Sequence, residues 1–357
     1  MYRSWLHLTR LMNGKPAGLA ALALAAFVFL LQLPTFLSSP KAMLDLVEMG
    51  YVCAWLMLVT TLTRTISVST LVAFWLVGVY AVFTATLVVG QLIIPLTGNT
   101  TAFSTVVASI TEETIKAAPV AGFLFLVVRR NGWQTSVSDG LLLGYAVGAG
   151  FAFHEDAIKR VTSGSGWTAT SWSALFPTLL YQSGRPTLGH DGWTALVGLA
   201  LGLTTLLRHR PRARLIALAA LAIVIADHGT ANWIGRQGRH LPALIGAANE
   251  LLLNGHLAIL LLATGITTAI LLDLRALRWA AVRDRWFPPL RMSDLVQLIR
   301  RPITLEKLRV LGMALDYIRH RRAAHFGAWR WRHQTAVRDP MENMVTALQT
   351  LAPQPNR

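Results

Sequence analysis

Thr111-Glu112-Glu113-Thr114-Ile115-Lys116 lies inside an apolar run from about Ala102 to Val128. A helix needs about 20 mostly apolar residues to cross a bilayer, and this run is long enough. Two adjacent carboxylates and a lysine therefore stand where charge is expensive. One Asp, Lys or Arg at mid-bilayer costs at least ~2.5–3.5 kcal/mol, so such residues face the bundle interior and mark function. Glu113 and Lys116, three apart, can neutralise each other, and Glu112 and Lys116, four apart, form a competing pair. Either pairing leaves one carboxylate over.

The rest of the chain fits that setting. Of 357 residues, 54% are hydrophobic and 14% charged, where a soluble domain carries about 25% charged residues. The chain reads as all-α, a polytopic membrane helix bundle. Its net charge of +16 points to positive-inside topology and anionic lipid, with no nucleic-acid partner. The one cysteine, Cys53, lies in an apolar run and says nothing about redox compartment.

About eight transmembrane helices are expected. Ala17–Leu37 is longer than the apolar core of a signal peptide, so it reads as a retained first span. The second runs over Leu44–Leu62. The third, Ile66–Pro95, is overlong and expected to tilt or break near Gly90. A polar turn at Pro95–Thr101 leads into the fourth span, which carries the opening motif and stops at Arg129-Arg130. The fifth begins near Asp139, places Gly140, Gly144 and Gly148 four residues apart for close helix packing, and ends at His154-Glu155-Asp156. Residues 157–187 read as a loop or re-entrant segment. The sixth, seventh and eighth spans run over Leu188–Leu207, Leu215–Ile234 and Leu241–Leu272. These spans put the N-terminus, Arg64, Arg129-Arg130, the Arg208–Arg214 cluster and the C-terminal region on one side, the cytoplasm. The chain divides into 1–100 (first three helices), 101–235 (a core carrying the motifs), 236–273 (last helix) and 274–357. This last region holds a basic helical cytoplasmic extension, with sixteen Lys/Arg against six Asp/Glu over 275–357. Leu308, Leu311, Leu315 and Ile318 recur there at helical spacing, as in an amphipathic helix lying on anionic lipid. A solvated basic tail is the bland alternative.

Four polar constellations interrupt the apolar spans: Glu112-Glu113 with Lys116, His154-Glu155, His190 with Asp191, and Asp227-His228 with Asn232 one turn later. Spans of alternating direction bring all four toward the outer leaflet, Glu112 lying roughly 15 Å below the outer end of its span at about 1.5 Å per residue. Two chemistries suit carboxylates and imidazoles together. A glutamate in a low-dielectric pocket can activate water while His and Asn stabilise an oxyanion. Alternatively His190, His228 and Glu155 can bind zinc. There is no H-E-x-x-H, G-x-S-x-G or nucleotide-binding glycine loop. A non-catalytic binding or immunity-type protein, a proton-coupled transporter and a lipid-modifying enzyme are the alternatives. A transporter should show repeat symmetry between its halves, and here the polar residues are confined to spans four to seven.

Glu112-Glu113-x-x-Lys116, Phe151-x-x-x-Glu155, Arg185…Gly189-His190 with Gly198 and Gly202, and His228-x-x-x-Asn232 resemble the PrsW family of intramembrane proteases, related to the CAAX-prenyl-protease and bacteriocin-immunity superfamily. The resemblance covers roughly residues 100–235. Asp191 departs from it, standing where a small or apolar residue is expected. The resemblance implies proteolysis of a membrane-anchored protein in a bacterial inner membrane; in the family's best-known case the substrate is an anti-sigma factor, cut on its extracytoplasmic side. The site residues so implied are Glu112, Glu113, Glu155, His190, His228 and Asn232. Glu112 is favoured as the base, and Glu155 as a second acid/base or as the group that orients a histidine.

Overall fold

The computed structural model describes residues 40–97, 103–127, 134–163, 179–182, 185–207, 212–237 and 241–283, together with 318, 319, 322, 323 and 326. The expected first span, the tip of the Pro95–Thr101 turn and Leu308, Leu311 and Leu315 lie outside them.

Eight helices and one hairpin make up the described residues. Helix α1 is Pro40–Val59. Helix α2 covers residues 68–97, with a π-helical stretch at Val77–Val82. Helix α3 covers residues 103–127: its α-helical centre, Ala108–Gly122, is flanked by π-helical turns at Phe103–Val107 and Phe123–Val127. Helix α4 is Val137–Ser163. Strands β1 (Leu179–Gln182) and β2 (Arg185–Leu188) pair antiparallel, Leu179 opposite Leu188 and Gln182 opposite Arg185. Helices α5 (His190–Leu206), α6 (Arg212–Gln237), α7 (Ala243–Leu251) and α8 (His256–Arg283) follow. Among the described residues Val68–Leu96, Arg212–Gln237 and Leu253–Trp279 are long and apolar enough to cross a membrane. The protein is a mostly helical membrane protein.

Helix α4 forms the centre: every side chain from Val137 to His154 is buried. A helix buried all round carries no polar stripe, and its neighbours approach on several faces. The closest is α5, which runs antiparallel to it. A Cβ added at Gly144 would collide with the Thr194 carbonyl oxygen, and one at Gly148 with the carbonyl oxygen of His190. The glycine spacing therefore sets how near His190 stands to α4. At the other end of α4 the four leading N–H groups, which no helical turn can satisfy, are all bonded. Ser136 N donates to Asp139 Oδ2 at 2.8 Å and Asp139 N to Ser136 Oγ at 3.0 Å, a reciprocal cap. Val137 N and Ser138 N donate to the two oxygens of Asp273, each at 2.9 Å. Asp139 also accepts from Thr65 N and Ile66 N, which ties the α1–α2 connection to the same cap.

Several expectations need correction. The hairpin adds strands to a bundle expected to be all-α. Helix α4 runs past Glu155 to Ser163, and the hairpin occupies 179–188, so 157–187 is not simply a loop. Helix α2 does not break at Gly90 and continues through Pro95 to Thr97; its irregularity is the π-helical stretch near Val79. The single helix expected over 241–272 is two. Leu253, Asn254 and Gly255 have φ of 52°, 53° and 93°, and α8 then runs on to Arg283, past the expected boundary at 273. Asn and Gly accept the left-handed region readily, so Asn254-Gly255 turns the chain. In the C-terminal region Phe326 is fully buried in the main core and Ala323 is buried with it. Arg322 Nη1 donates to the carbonyls of Thr61 and Arg64 at 2.5 and 3.2 Å. This part of the region packs on the helix bundle.

Candidate active site

Glu112, Glu113 and Lys116 come from α3, Glu155 from α4, His190 from the first turn of α5 and His228 from α6. All but Glu112 join in one continuous chain of hydrogen bonds. Lys116 Nζ donates to Glu113 Oε1 at 2.5 Å and to His190 Nδ1 at 2.8 Å. With Nδ1 accepting, the His190 proton sits on Nε2 and is donated to Glu155 Oε2 at 2.8 Å. Glu155 Oε1 pairs with Lys159 at 2.9 Å. From the other side, His228 donates its Nδ1–H to Glu113 Oε1 at 2.8 Å, and its Nε2 lies 3.7 Å from Glu112 Oε2. Of the two pairings open to Lys116, the one with Glu113 is formed.

Glu113 and Lys116 are both fully buried, where an uncompensated ion would cost several kcal/mol. Two carboxylate oxygens, Glu112 Oε2 and Glu113 Oε2, are buried without a hydrogen-bond partner. Aromatic rings wall the cluster. Phe151 packs edge-on to His190, with centroids 4.9 Å apart, and under Lys116 Nζ at 4.8 Å. Trp193 lies flat on His228, and the two imidazoles stand edge to face at 4.9 Å.

Not all the expected site residues meet. One donor atom each from Glu112, Glu113, His190 and His228 fall within 4.8 Å of one another. Glu155, an expected metal-ligand candidate, stands outside this group, with its two oxygens on His190 and Lys159. Asn232 donates to Ser109 Oγ at 3.4 Å, one rung from the Glu113–His228 contact on the same α3–α6 interface. His154, beside Glu155 in sequence, faces elsewhere. It donates Nδ1–H to Val79 O at 2.5 Å and stacks on Phe83. That carbonyl belongs to the π-helical stretch of α2, where the α-helical ladder is interrupted.

A second buried network stands behind the first; Asp227 and Arg185 were singled out in the sequence, but not their pairing or the part of Trp193 and Asn249. Asp227 accepts from Arg185 Nη2 at 2.5 Å, Trp193 Nε1 at 2.7 Å and Thr187 Oγ1 at 3.2 Å. Arg185 Nε in turn donates to Asn249 Oδ1 at 2.8 Å. The signal for the pairing was an aspartate inside the apolar seventh span, with Arg185 just before the sixth span and Trp193 near its start.

A helical membrane bundle closed around buried carboxylates, imidazoles and a lysine is the build of a membrane-embedded hydrolase. The model of the PrsW family intramembrane metalloproteases matches residues 54–281, and the chain belongs to that family. The protein is thus an intramembrane peptidase, and its substrate class is membrane proteins. No curated protein and no solved structure matches the chain.

Proposed function

We propose that this peptidase cuts a membrane-anchored protein, of which an anti-sigma factor is one example, in the extracytoplasmic leaflet of a bacterial inner membrane, with both of its own termini in the cytoplasm. The observation that carries the chemistry is the buried Glu112 Oε2, which has no hydrogen-bond partner and stands 3.7 Å from His228 Nε2. Glu113 is held by Lys116 and His228, so Glu112 is the carboxylate free to act as base. It takes a proton from water as the water oxygen bonds to the scissile carbonyl carbon. It returns that proton to the amide nitrogen as the C–N bond breaks, so atoms and charge balance. Glu113 fixes the His228 tautomer, and Glu155 fixes that of His190. Asn232 keeps α3 and α6 in register.

The donor set fits a metal. Glu112 Oε2 and Glu113 Oε2 lack hydrogen-bond partners, and one atom each of Glu112, Glu113, His190 and His228 lie within 4.8 Å of one another. Carboxylate-held imidazoles are the usual support for a zinc ligand. Zinc is the metal we propose, held by His190, His228 and a glutamate of the Glu112-Glu113 pair; when bound it polarises a carbonyl oxygen and acidifies water. The basic C-terminal region contributes affinity for anionic lipid.

The test is a proteome-wide comparison of membrane-protein fragments in cells carrying wild type or Glu112→Gln. Loss of a general base lowers the rate about 10²–10⁴-fold, so substrate fragments should vanish with the variant. In purified protein, loss of cleavage on chelation and its return with zinc supports the metal. Fragments that persist with Glu112→Gln would remove Glu112 from the chemistry. The same hydrogen-bond chain could serve a proton relay, and unchanged fragments with proton flux in liposomes would favour that reading.

A further inference from the structure

Trp193 belongs to none of the expected constellations, yet it touches both site histidines. It lies three residues after His190 on α5. Its indole lies against His228 with centroids 4.4 Å apart and planes 24° apart, and meets His190 edge-on at 5.4 Å. Its Nε1–H donates to Asp227 Oδ2 at 2.7 Å. An indole held by packing alone can rock, and a hydrogen bond to a fixed carboxylate stops it.

Asp227 is such a carboxylate, clamped by Arg185 and Thr187 of β2. Behind Arg185 stands Asn249 of α7, itself bonded to Asn254 at 2.7 Å in the left-handed turn. Gly255 closes the frame. A Cβ there would collide with the Pro186 carbonyl oxygen and come within 3.0 Å of the Arg185 guanidinium carbon, at a φ of 93° that side chains rarely adopt. The turn between α7 and α8 therefore seats directly on β2, and β2 seats on Asp227.

We infer that Trp193 is a positioning residue that fixes the plane of the His228 imidazole, anchored by Asp227 in a frame built from β2 and the Leu253–Gly255 turn. His228 is hydrogen-bonded to Glu113 through Nδ1, and a ring held at one atom can still swing about that bond. The flat indole removes this freedom and keeps Nε2 turned toward Glu112. The inference rests on the assignment of His228 to the reaction, and its test is read on the imidazole itself.

Full-length protein in detergent micelles, labelled with ¹⁵N-histidine and freed of metal, is compared at one pH with Trp193→Phe, Trp193→Leu and Asp227→Asn. His190→Gln and His228→Gln assign the signals. Wild type should show His228 as a single Nδ1–H tautomer. Trp193→Phe keeps a flat ring without the N–H and should broaden that signal; Trp193→Leu should broaden it further, while Glu113 keeps the proton on Nδ1. His190, held by Lys116 and Glu155, should keep its signal in both. Affinity for Co²⁺, the probe metal, should fall about 10–100-fold in Trp193→Leu, the usual effect of losing a supporting group behind a ligand, and less in Trp193→Phe. A wild-type His228 signal in either variant overturns the inference. So does a joint change at His190 and His228, which would mark a packing defect. If Trp193→Leu does not fold, Trp193→Phe and Asp227→Asn decide by the same criterion. Wild-type cleavage by His228→Gln would instead refute the catalytic reading and leave the tautomer result standing.

Discussion

Glu113 Oε1 and His228 Nδ1 meet at 2.8 Å across 115 residues of sequence. The same oxygen takes Lys116 Nζ at 2.5 Å, so one atom joins α3 to α6 and neutralises the buried ammonium. Removing one partner of a buried ion pair costs about 3–5 kcal/mol, because the other charge is stranded. Glu113→Gln and Lys116→Met should each lower the Tm markedly in detergent, and the double variant should lose less than the two singles combined. A double-mutant cycle on thermal unfolding measures this; a coupling below about 0.5 kcal/mol would mean the two residues are energetically independent.

The glycines of α4 separate into those that touch and those elsewhere that do not. Gly148 faces the backbone of His190, whereas Gly90 of α2 has no atom within 4 Å of an added Cβ. Overpacking costs about 1–3 kcal/mol, occasionally more, and backbone cannot move aside as a side chain can. Gly148→Leu should therefore unfold the protein or displace His190. Gly90→Ala should be neutral or gain up to about 1 kcal/mol from helix propensity. Melting temperatures of the two variants check this, and equal destabilisation would contradict the packing described.

Phe326 lies far along the basic region yet is fully buried in the main core. Phe→Ala in a core costs about 3–5 kcal/mol. Phe326→Ala should lower the Tm, and truncation after residue 275, which also cuts α8, should destabilise the bundle. A truncated chain with wild-type Tm and cleavage would show that the region is dispensable, as an independent lipid-binding tail would be.

The proposed orientation rests on the distribution of charge. Reporter fusions after Ser163, at the end of α4, and at Arg212, at the start of α6, should report opposite sides, with Arg212 in the cytoplasm. The same side for both would overturn the outer-leaflet placement of the site.

The charged motif in α3 was readable because a carboxylate in an apolar run has few reasons to be there. The start of α4 was readable too: the fifth span was expected to begin near Asp139, and α4 begins at Val137. Other features left weaker traces. A π-helical turn adds one residue to a ladder without changing composition, so the stretch at Val77–Val82 has no signature in the sequence. Strands of four residues such as β2 are held by what they pack on, here Asp227 and the Leu253–Gly255 turn, which lie 40 or more residues away. Asn254-Gly255 was a turn signal submerged in an apolar run of spanning length. Trp193 looked like an ordinary aromatic near a helix start, since Asp227 and His228, which it joins, come from another helix.

The glycine contact between α4 and α5 also bears on how a substrate arrives. With the Gly144 Cα region against Thr194 and Gly148 against His190, this seam is shut to anything the width of a polypeptide. The contact of Gly229 on α6 with the Thr105 carbonyl of α3, 2.7 Å from an added Cβ, closes a second seam in the same way. A segment leaving the lipid must therefore pass between other pairs of helices than the two that carry the histidines.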